Sequence, residues 1–357
     1  MIKILYAYPE PLPSQKARCV QVVGTCTALA KFLPITLVAE IVGDIFSWFD
    51  LEKPKGMEVI DLKRKIGPFV SNKWFSLRLR QMLRSIRPDL LWLRHPRLAR
   101  DLAGKGLPVV YELHEIFSDK HPDRTDLFRM EKELCQMVKG IACVNRNLKY
   151  RWQELYGNVP ISIIPNATFY DKNLEKGLVP GPVDTICYVG TAYYKWKGLK
   201  TLIDSLELLE GIKLILVGDI LKEKLPDHIK NRVKCLGYLS NPEARAVLKE
   251  AQITILPNSA DTVFSRSYTF PLKLLEYMAA KTAIVASDLP SIREIVTEDE
   301  VLFFEPDDAV SLANAVARLS KDSKLRHKLA LSAWRKAERY SWEARAEKIK
   351  VFIKSFT

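Results

Sequence analysis

Residues 268–286 read Tyr268-Thr269-Phe270-Pro271-Leu272-Lys273-Leu274-Leu275-Glu276-Tyr277-Met278-Ala279-Ala280-Lys281-Thr282-Ala283-Ile284-Val285-Ala286. A proline followed by apolar residues at helical spacing predicts a helix opening at Pro271 or Leu272 and running to Ala280. The apolar run Ala283–Ala286 that follows is too short for a helix and reads as a buried strand. A helix feeding a wholly apolar strand is the repeating unit of a parallel sheet covered by helices. The same rhythm extends outward, with strands expected at 186–189, 213–217 and 253–256 and a helix at 199–209. In the first half, strands are expected at 2–8, 35–39, 57–61, 89–94, 108–112, 140–144 and 161–164. Helical patterns lie at 16–32, 74–87 and 126–138. Turn formers from Pro165-Asn166 to Pro180-Gly181-Pro182 interrupt the alternation and mark a linker. The expected fold class is therefore α/β, with two doubly wound domains in tandem, and such sheets bind ligands beyond the carboxyl ends of their strands. Two domains facing one another would place the ligand in a cleft between them.

Length and composition agree with this division. The chain has 357 residues, 48% of them hydrophobic, enough for two cores. Its six cysteines contain no C-x-x-C pair, which argues against a zinc site or disulfide framework and fits a reducing, cytoplasmic setting. The apolar start of the chain reaches Pro9 too soon for a signal peptide, and no run of about 18 apolar residues suggests a spanning helix. The net charge is +13, of which +9 falls in residues 1–170 (26 Lys and Arg against 17 Asp and Glu). Such a surface suits an anionic partner. No finger, RNA-binding signature or Gly-rich basic tail speaks for nucleic acid. Residues 61–100 hold 11 Lys and Arg against 2 acids. Within 74–87, Phe75, Leu79, Met82, Leu83 and Ile86 share one helical face, a pattern open to packing on the sheet or to lying on an anionic bilayer. Lys63–Val70, with Trp74 and Phe75, is the candidate membrane-contacting loop.

Several residues stand where a doubly wound fold exposes chemistry. A helix beginning at Pro271 or Leu272 would offer free N–H groups and a positive dipole end to a diphosphate. Glu276, one turn on, could accept hydrogen bonds from vicinal hydroxyls; it could equally be an ordinary surface residue. His114 ends the run Val110-Tyr111-Glu112-Leu113 at a strand's carboxyl end, a ligand-facing position, with Glu115 beside it. A hydrogen-bonded structural role for His114 stays open. Arg94 and His95 follow Leu90-Leu91-Trp92-Leu93 in the same way and could reach the ligand or cap the strand. In the proline-rich loop 9–18, Lys16 and Arg18 could meet an anionic acceptor or a phosphate. Asp307-Asp308 opens a helix and reads as its N-cap rather than a metal pair.

The segment Pro271-Leu272-Lys273-x-x-Glu276-Tyr277-Met278-Ala279 resembles glycosyltransferase family four, in the branch reading S-P-L-K-L-x-E-Y-M-A. The family's Glu, seven residues, Glu pattern is half met: Glu276 matches the second position and Tyr268 occupies the first. The resemblance implies that Glu276 holds the donor ribose, and that Pro271 and the amides of Leu272 and Lys273 hold the diphosphate. Val189-Gly190-Thr191 and Trp196-Lys197-Gly198 look like the family's glycine turn and lysine phosphate clamp, with Thr191 where an arginine is common. Leu236-Gly237-Tyr238-Leu239 is similar to the base-recognising stretch, making Tyr238 and Leu239 candidates there. His114 matches the family histidine that faces the donor sugar.

The resemblance implies a GT-B fold. Its N-terminal Rossmann-like domain would span 1–167, with a linker at 168–183. A nucleotide-sugar-binding domain would follow at 184–338, then a helix at 339–357 crossing back to the first domain. It further implies a retaining, metal-independent glycosyltransferase moving a sugar from a UDP- or GDP-sugar to a saccharide or lipid-linked acceptor. Cell-surface polysaccharide or glycolipid synthesis and peripheral attachment to the inner face of a membrane are the expected setting. His114, Glu115, Lys197 and Glu276 are the expected catalytic residues, with no cofactor beyond the donor itself. A non-catalytic nucleotide-sugar or membrane-surface binder and a sugar-nucleotide epimerase are the competing classes.

Overall fold

The computed structural model describes residues 1–357 apart from Gly67, Pro68, Leu178, Ala192, Leu221, Lys222, Lys224 and Thr357, and apart from the side chains of 65–70. The candidate loop Lys63–Val70 thus falls partly outside the described residues. The chain divides into two compact units, residues 1–167 with 342–357, and residues 168–341.

The first unit is built on a seven-stranded, all-parallel sheet. Its strands are β1 (Ile4–Leu12), β2 (Ile35–Ile41), β3 (Met57–Asp61), β6 (Leu90–Leu93), β7 (Val109–Leu113), β8 (Gly140–Cys143) and β9 (Ile161–Ile163). A two-stranded antiparallel ladder, β4 (Lys65–Ile66) with β5 (Phe69–Val70), lies outside it. The sheet order β3-β2-β1-β6-β7-β8-β9 reverses direction between β1 and β6, the topological switch point of a doubly wound sheet. All residues of β6, β7 and β8 are buried, as expected for strands covered on both faces. That includes Glu112 in β7, which is 1% exposed.

β1 runs past its expected end at Tyr8 to Leu12, through Pro9 and Pro11. Its pairing with β6 stops at Ala7, and its register with β2 shifts between Tyr8 and Pro11. The two prolines thus occupy a bulged extension with one neighbouring strand, where a missing N–H is tolerated.

The last helix, Trp342–Lys354, belongs to this unit and packs against the helix Ala17–Leu29, as expected of a helix crossing back. Its buried residues Trp342, Arg345, Ala346, Ile349, Phe352 and Ile353 recur at helical spacing on one face. Gly24 leaves room for Trp342: a Cβ there would lie 2.4 Å from the indole ring.

The second unit holds a six-stranded parallel sheet ordered β12-β11-β10-β13-β14-β15. The strands are β10 (Thr185–Val189), β11 (Lys213–Val217), β12 (Val233–Cys235), β13 (Ile253–Leu256), β14 (Ala283–Ser287) and β15 (Val301–Phe304). Its core joins Ile186, Tyr188, Leu214, Leu216, Ile253, Ile255 and Val285 of the sheet to Leu202, Leu206, Leu312, Val316 and Leu319 of the covering helices. Asp308 caps the helix Ala309–Lys321 by accepting from the N–H groups of Val310 and Ser311. None of the six cysteines is in a disulfide among the described residues. Among the described residues no helix is long and apolar enough to cross a membrane.

Candidate active site

In the second unit the helix Leu272–Ala279 begins with Pro271 at its N-cap, so the expected start falls at Leu272. No side chain caps it, and its first turn contains no acid. The free N–H groups and the helix dipole therefore make its N-terminus attractive to an anion. Tyr277 fixes the helix against β10: its hydroxyl accepts from Val189 N–H at 3.0 Å and lies 3.4 Å from Val189 O.

Two lysines meet at this end of the unit. Lys273, 8% exposed, donates to the Tyr188 hydroxyl at 2.8 Å and sits over the Tyr188 ring at 4.0 Å. Lys197, half-buried, lies 3.8 Å from the centre of the Trp196 ring. Burial lowers Lys197 to about 8. Burial and then the charge of Lys197 hold Lys273 well below the usual lysine range, with Glu276 opposing. Neither lysine forms a salt bridge among the described residues. Two cations withdrawn from water with no salt-bridge partner are costly unless an anion joins them.

The glycines around these lysines have steric reasons to be glycine. At Gly190, where φ is +153°, a Cβ would lie 2.7 Å from Lys273 Nζ. At Gly198, which precedes the helix Leu199–Glu207, φ is +66° and a Cβ would collide with Pro257 O at 1.5 Å. Thr191 Oγ1 donates to Asp219 Oδ2 at 2.6 Å, so the residue standing where an arginine would be common faces an acid. Glu276 takes a 3.3 Å hydrogen bond from Asn241 Nδ2. Burial pushes its carboxyl up to about 7 against Asn241, Arg245 and Lys273. Gly237 O accepts from Gly218 N–H at 2.8 Å, tying the Leu236–Leu239 stretch to the end of β11. Tyr238 is exposed and Leu239 half-buried just before the helix Asn241–Glu250, whose first residue is the partner of Glu276. Of the other cations near this end of the unit, Lys195 is exposed and Arg266 donates to Ala260 O at 2.6 Å.

In the first unit, residues after β6 and β7 converge on Glu112. His114 Nε2 lies 2.6 Å from Glu112 Oε1, and the Arg94 guanidinium 3.6 Å from the same oxygen. Burial, followed by Arg94, lowers His114 to about 4. His95 is engaged structurally: Nδ1 accepts from Leu98 N–H at 3.4 Å, capping the helix Pro96–Leu102, and Nε2 is 3.2 Å from the Asn72 amide. Lys16 and Arg18 both pair with Glu10, at 2.8 and 2.9 Å. Burial works against ionised Glu10, but these partners hold its carboxyl below the usual range. Glu115 pairs with Lys120 at 3.0 Å.

Residue types alone give no reason to single out three of these residues. Glu112 reads as one polar letter in an apolar strand; Tyr188 as core; Asn241 as a helix start. Lys273 was expected to act through its amide, and its side chain adds a second cation. The signal available for Glu112 was its alternation with His114: residues two apart on a strand share a face.

Comparison with known proteins fits this architecture. Over 99% of this chain and 100% of its own, HepE from Anabaena, solved with UDP-glucose, superposes with a TM-score of 0.77 at 18% identity. Sucrose-phosphate synthase from Thermosynechococcus elongatus gives 0.77 at 16% identity over 99% of both chains. The fold is thus that of the GT-B glycosyltransferases.

Residues 183–322 match the family model for glycosyl transferases group 1, and residues 53–168 match that for glycosyltransferase family 4. Together these take in most of both units, and the chain belongs to the group 1, family 4 glycosyltransferases. Among curated relatives, phosphatidyl-myo-inositol mannosyltransferase of Mycobacterium leprae (strain TN) is 27% identical over 215 residues, 57% of this chain and 56% of the relative. Its counterpart in Mycolicibacterium smegmatis is 28% identical over 210 residues, 55% of this chain and 52% of the relative. The match therefore spans about half the length of these relatives.

Proposed function

We propose that this chain transfers a glycosyl group from a nucleoside-diphosphate sugar, a UDP- or GDP-sugar, to a saccharide or lipid-linked acceptor, with retention of configuration and without a metal ion. The resemblance of its motif supports assignment to the family branch with the Pro-Leu-Lys helix start. The observation that carries the reading is the pair Lys273, buried at the uncapped helix start, and Lys197, half-buried and close enough for its charge to depress Lys273. Diphosphate oxygens supply the missing negative charge, and the same groups stabilise the charge that develops as the diphosphate departs. Lys273 takes the place of the family's arginine as the second cation. Glu276, oriented by Asn241, holds the ribose hydroxyls, and Tyr238 and Leu239 line the base.

In this reading the departing diphosphate takes the proton of the incoming hydroxyl, so the chain need not provide a carboxylate nucleophile. His114 meets a hydroxyl of the sugar, whereas Lys16, Arg18 and Arg94 remain the candidates for acceptor contact. The relatives that act on phosphatidyl-myo-inositol, and the basic first unit, support glycolipid or cell-surface polysaccharide synthesis at the face of an anionic membrane. The test is transfer and nucleotide binding by Lys197→Ala, Lys273→Met and Glu276→Ala, with EDTA present. Each variant should lose transfer by about 100-fold or more while keeping its circular dichroism spectrum. Wild-type turnover by Lys197→Ala or Glu276→Ala would overturn the assignment.

A further inference from the structure

Glu112 is the centre of a buried polar network in the first unit. Tyr6 OH of β1 donates to Oε2 at 2.8 Å, and Trp92 Nε1 of β6 donates to the same oxygen at 2.7 Å. Oε1 accepts from Arg345 of the last helix at 2.9 Å and faces His114 Nε2 at 2.6 Å. Arg345, itself buried, also donates to Thr25 Oγ1 and to the carbonyls of Ile164 and Pro165. Its orientation is therefore fixed by three other segments of the unit.

The donors decide where the proton lies. An indole N–H and a guanidinium can only donate, and the buried ion pair with Arg345 keeps Glu112 ionised. Burial opposes that ionisation, and Arg345, His114 and Arg94 outweigh it, holding the carboxyl well below its usual range. A carboxylate has no proton to give, so Nε2 of His114 must carry the one between them. The groups facing His114 are Glu112 from its own strand, Arg94 after β6 and Arg345 from the last helix. Burial and the two cations disfavour a second proton on the ring. Among the described residues His114 makes no other hydrogen bond, which leaves Nδ1 with a bare lone pair.

We propose that Glu112 and Arg345 are positioning residues that lock His114 into the neutral Nε2–H tautomer, presenting Nδ1 beyond β7 as a hydrogen-bond acceptor for a sugar hydroxyl. This rests on the reading of His114 as a sugar-facing residue. An acceptor nitrogen matches a hydroxyl and mismatches a phosphate or carboxylate oxygen, which has no proton to offer. A ring that takes a proton only near pH 4 is also a poor base at neutral pH, so His114 orients the sugar and the deprotonation of the acceptor falls to another group.

Long-range 15N–1H correlation spectra of the whole chain test this, with His114 assigned by His114→Gln. The expected wild-type ring has a pyrrole-like Nε2 and a pyridine-like Nδ1 that stay unchanged between about pH 5.5 and about pH 8.5, a window containing the ordinary histidine pKa. In Arg345→Met the loss of a nearby cation should raise the His114 titration toward that window. In Glu112→Gln the Nδ1–H form should appear, and kcat should fall by about 100-fold with a smaller change in donor KM. A wild-type ring protonated on Nδ1, or titrating near neutral pH, would overturn the proposal even if both variants failed to fold. The spectra need neither donor nor turnover. A chain with the expected tautomer that transfers no sugar overturns the transferase reading alone; one that transfers sugar with an Nδ1–H ring overturns this inference alone.

Discussion

If Lys197 and Glu276 bind the nucleoside diphosphate as proposed, they set opposite pH limits on that binding. Lys197 is charged below about 8, and Glu276 is ionised above about 7, each displaced mainly by burial. An anion favours the protonated lysine, so affinity should be lost as pH rises through 8, by about tenfold per unit once one proton must be taken up on binding. Ribose hydroxyls donating to Glu276 favour its ionised form, so affinity should also decline as pH falls through 7. Calorimetric titration of UDP and GDP across this range should show tightest binding between the two values. Lys197→Met should flatten the alkaline limb and Glu276→Gln the acidic one; unchanged limbs in both variants would remove these residues from the binding step. Lys197 and Glu276 were legible in the sequence because each sits in a recognisable local pattern. Glu112 was not, because its role depends on Tyr6, Trp92 and Arg345, which only the folded sheet and last helix bring to it.

The packing of the last helix on the helix Ala17–Leu29 is governed by Gly24, whose missing side chain makes space for Trp342. Gly24→Ala would gain up to about 1 kcal/mol of helix propensity. It would also place a methyl carbon 2.4–2.6 Å from three atoms of the indole. Overpacking of this kind costs about 1–3 kcal/mol, so the net change should be destabilising, read as a lower urea midpoint with unchanged slope. A stabilised variant would show that Trp342 moves aside freely. At this scale most of the sheet could be read from the sequence, because fully buried parallel strands are continuous apolar runs. β12, only Val233–Cys235, and β15, Val301–Phe304, were not among the expected strands, and β1 was cut at Pro9 because the bulge that accommodates the prolines has no local signal. Lys281 shows why a missing glycine did not lengthen the helix before it: it adopts φ +54° itself and donates its N–H to Met278 O at 3.1 Å.

For the whole molecule, the two units differ sharply in charge. Residues 1–167 and 342–357 contain 30 Lys and Arg against 19 Asp and Glu, a net +11 of the total +13. The first unit should therefore bind vesicles containing phosphatidylglycerol and release them as salt rises, because attraction to an anionic surface is screened over about 8 Å at physiological ionic strength. Cosedimentation at low and high salt measures this. Equal binding to neutral phosphatidylcholine vesicles would refute an electrostatic attachment.

The first unit is also discontinuous along the chain, since residues 168–341 intervene before the helix that carries Arg345. On the ribosome, the contiguous second unit can mature as soon as it emerges, whereas the first must wait for residues 342–357 before Glu112 receives its guanidinium partner. A nascent chain halted inside the second unit would thus hold a carboxylate facing apolar strands with its principal counter-charge still untranslated. Translation past Arg345 becomes a condition for assembling the Glu112–His114 network, and chains terminated before it lack that network by construction.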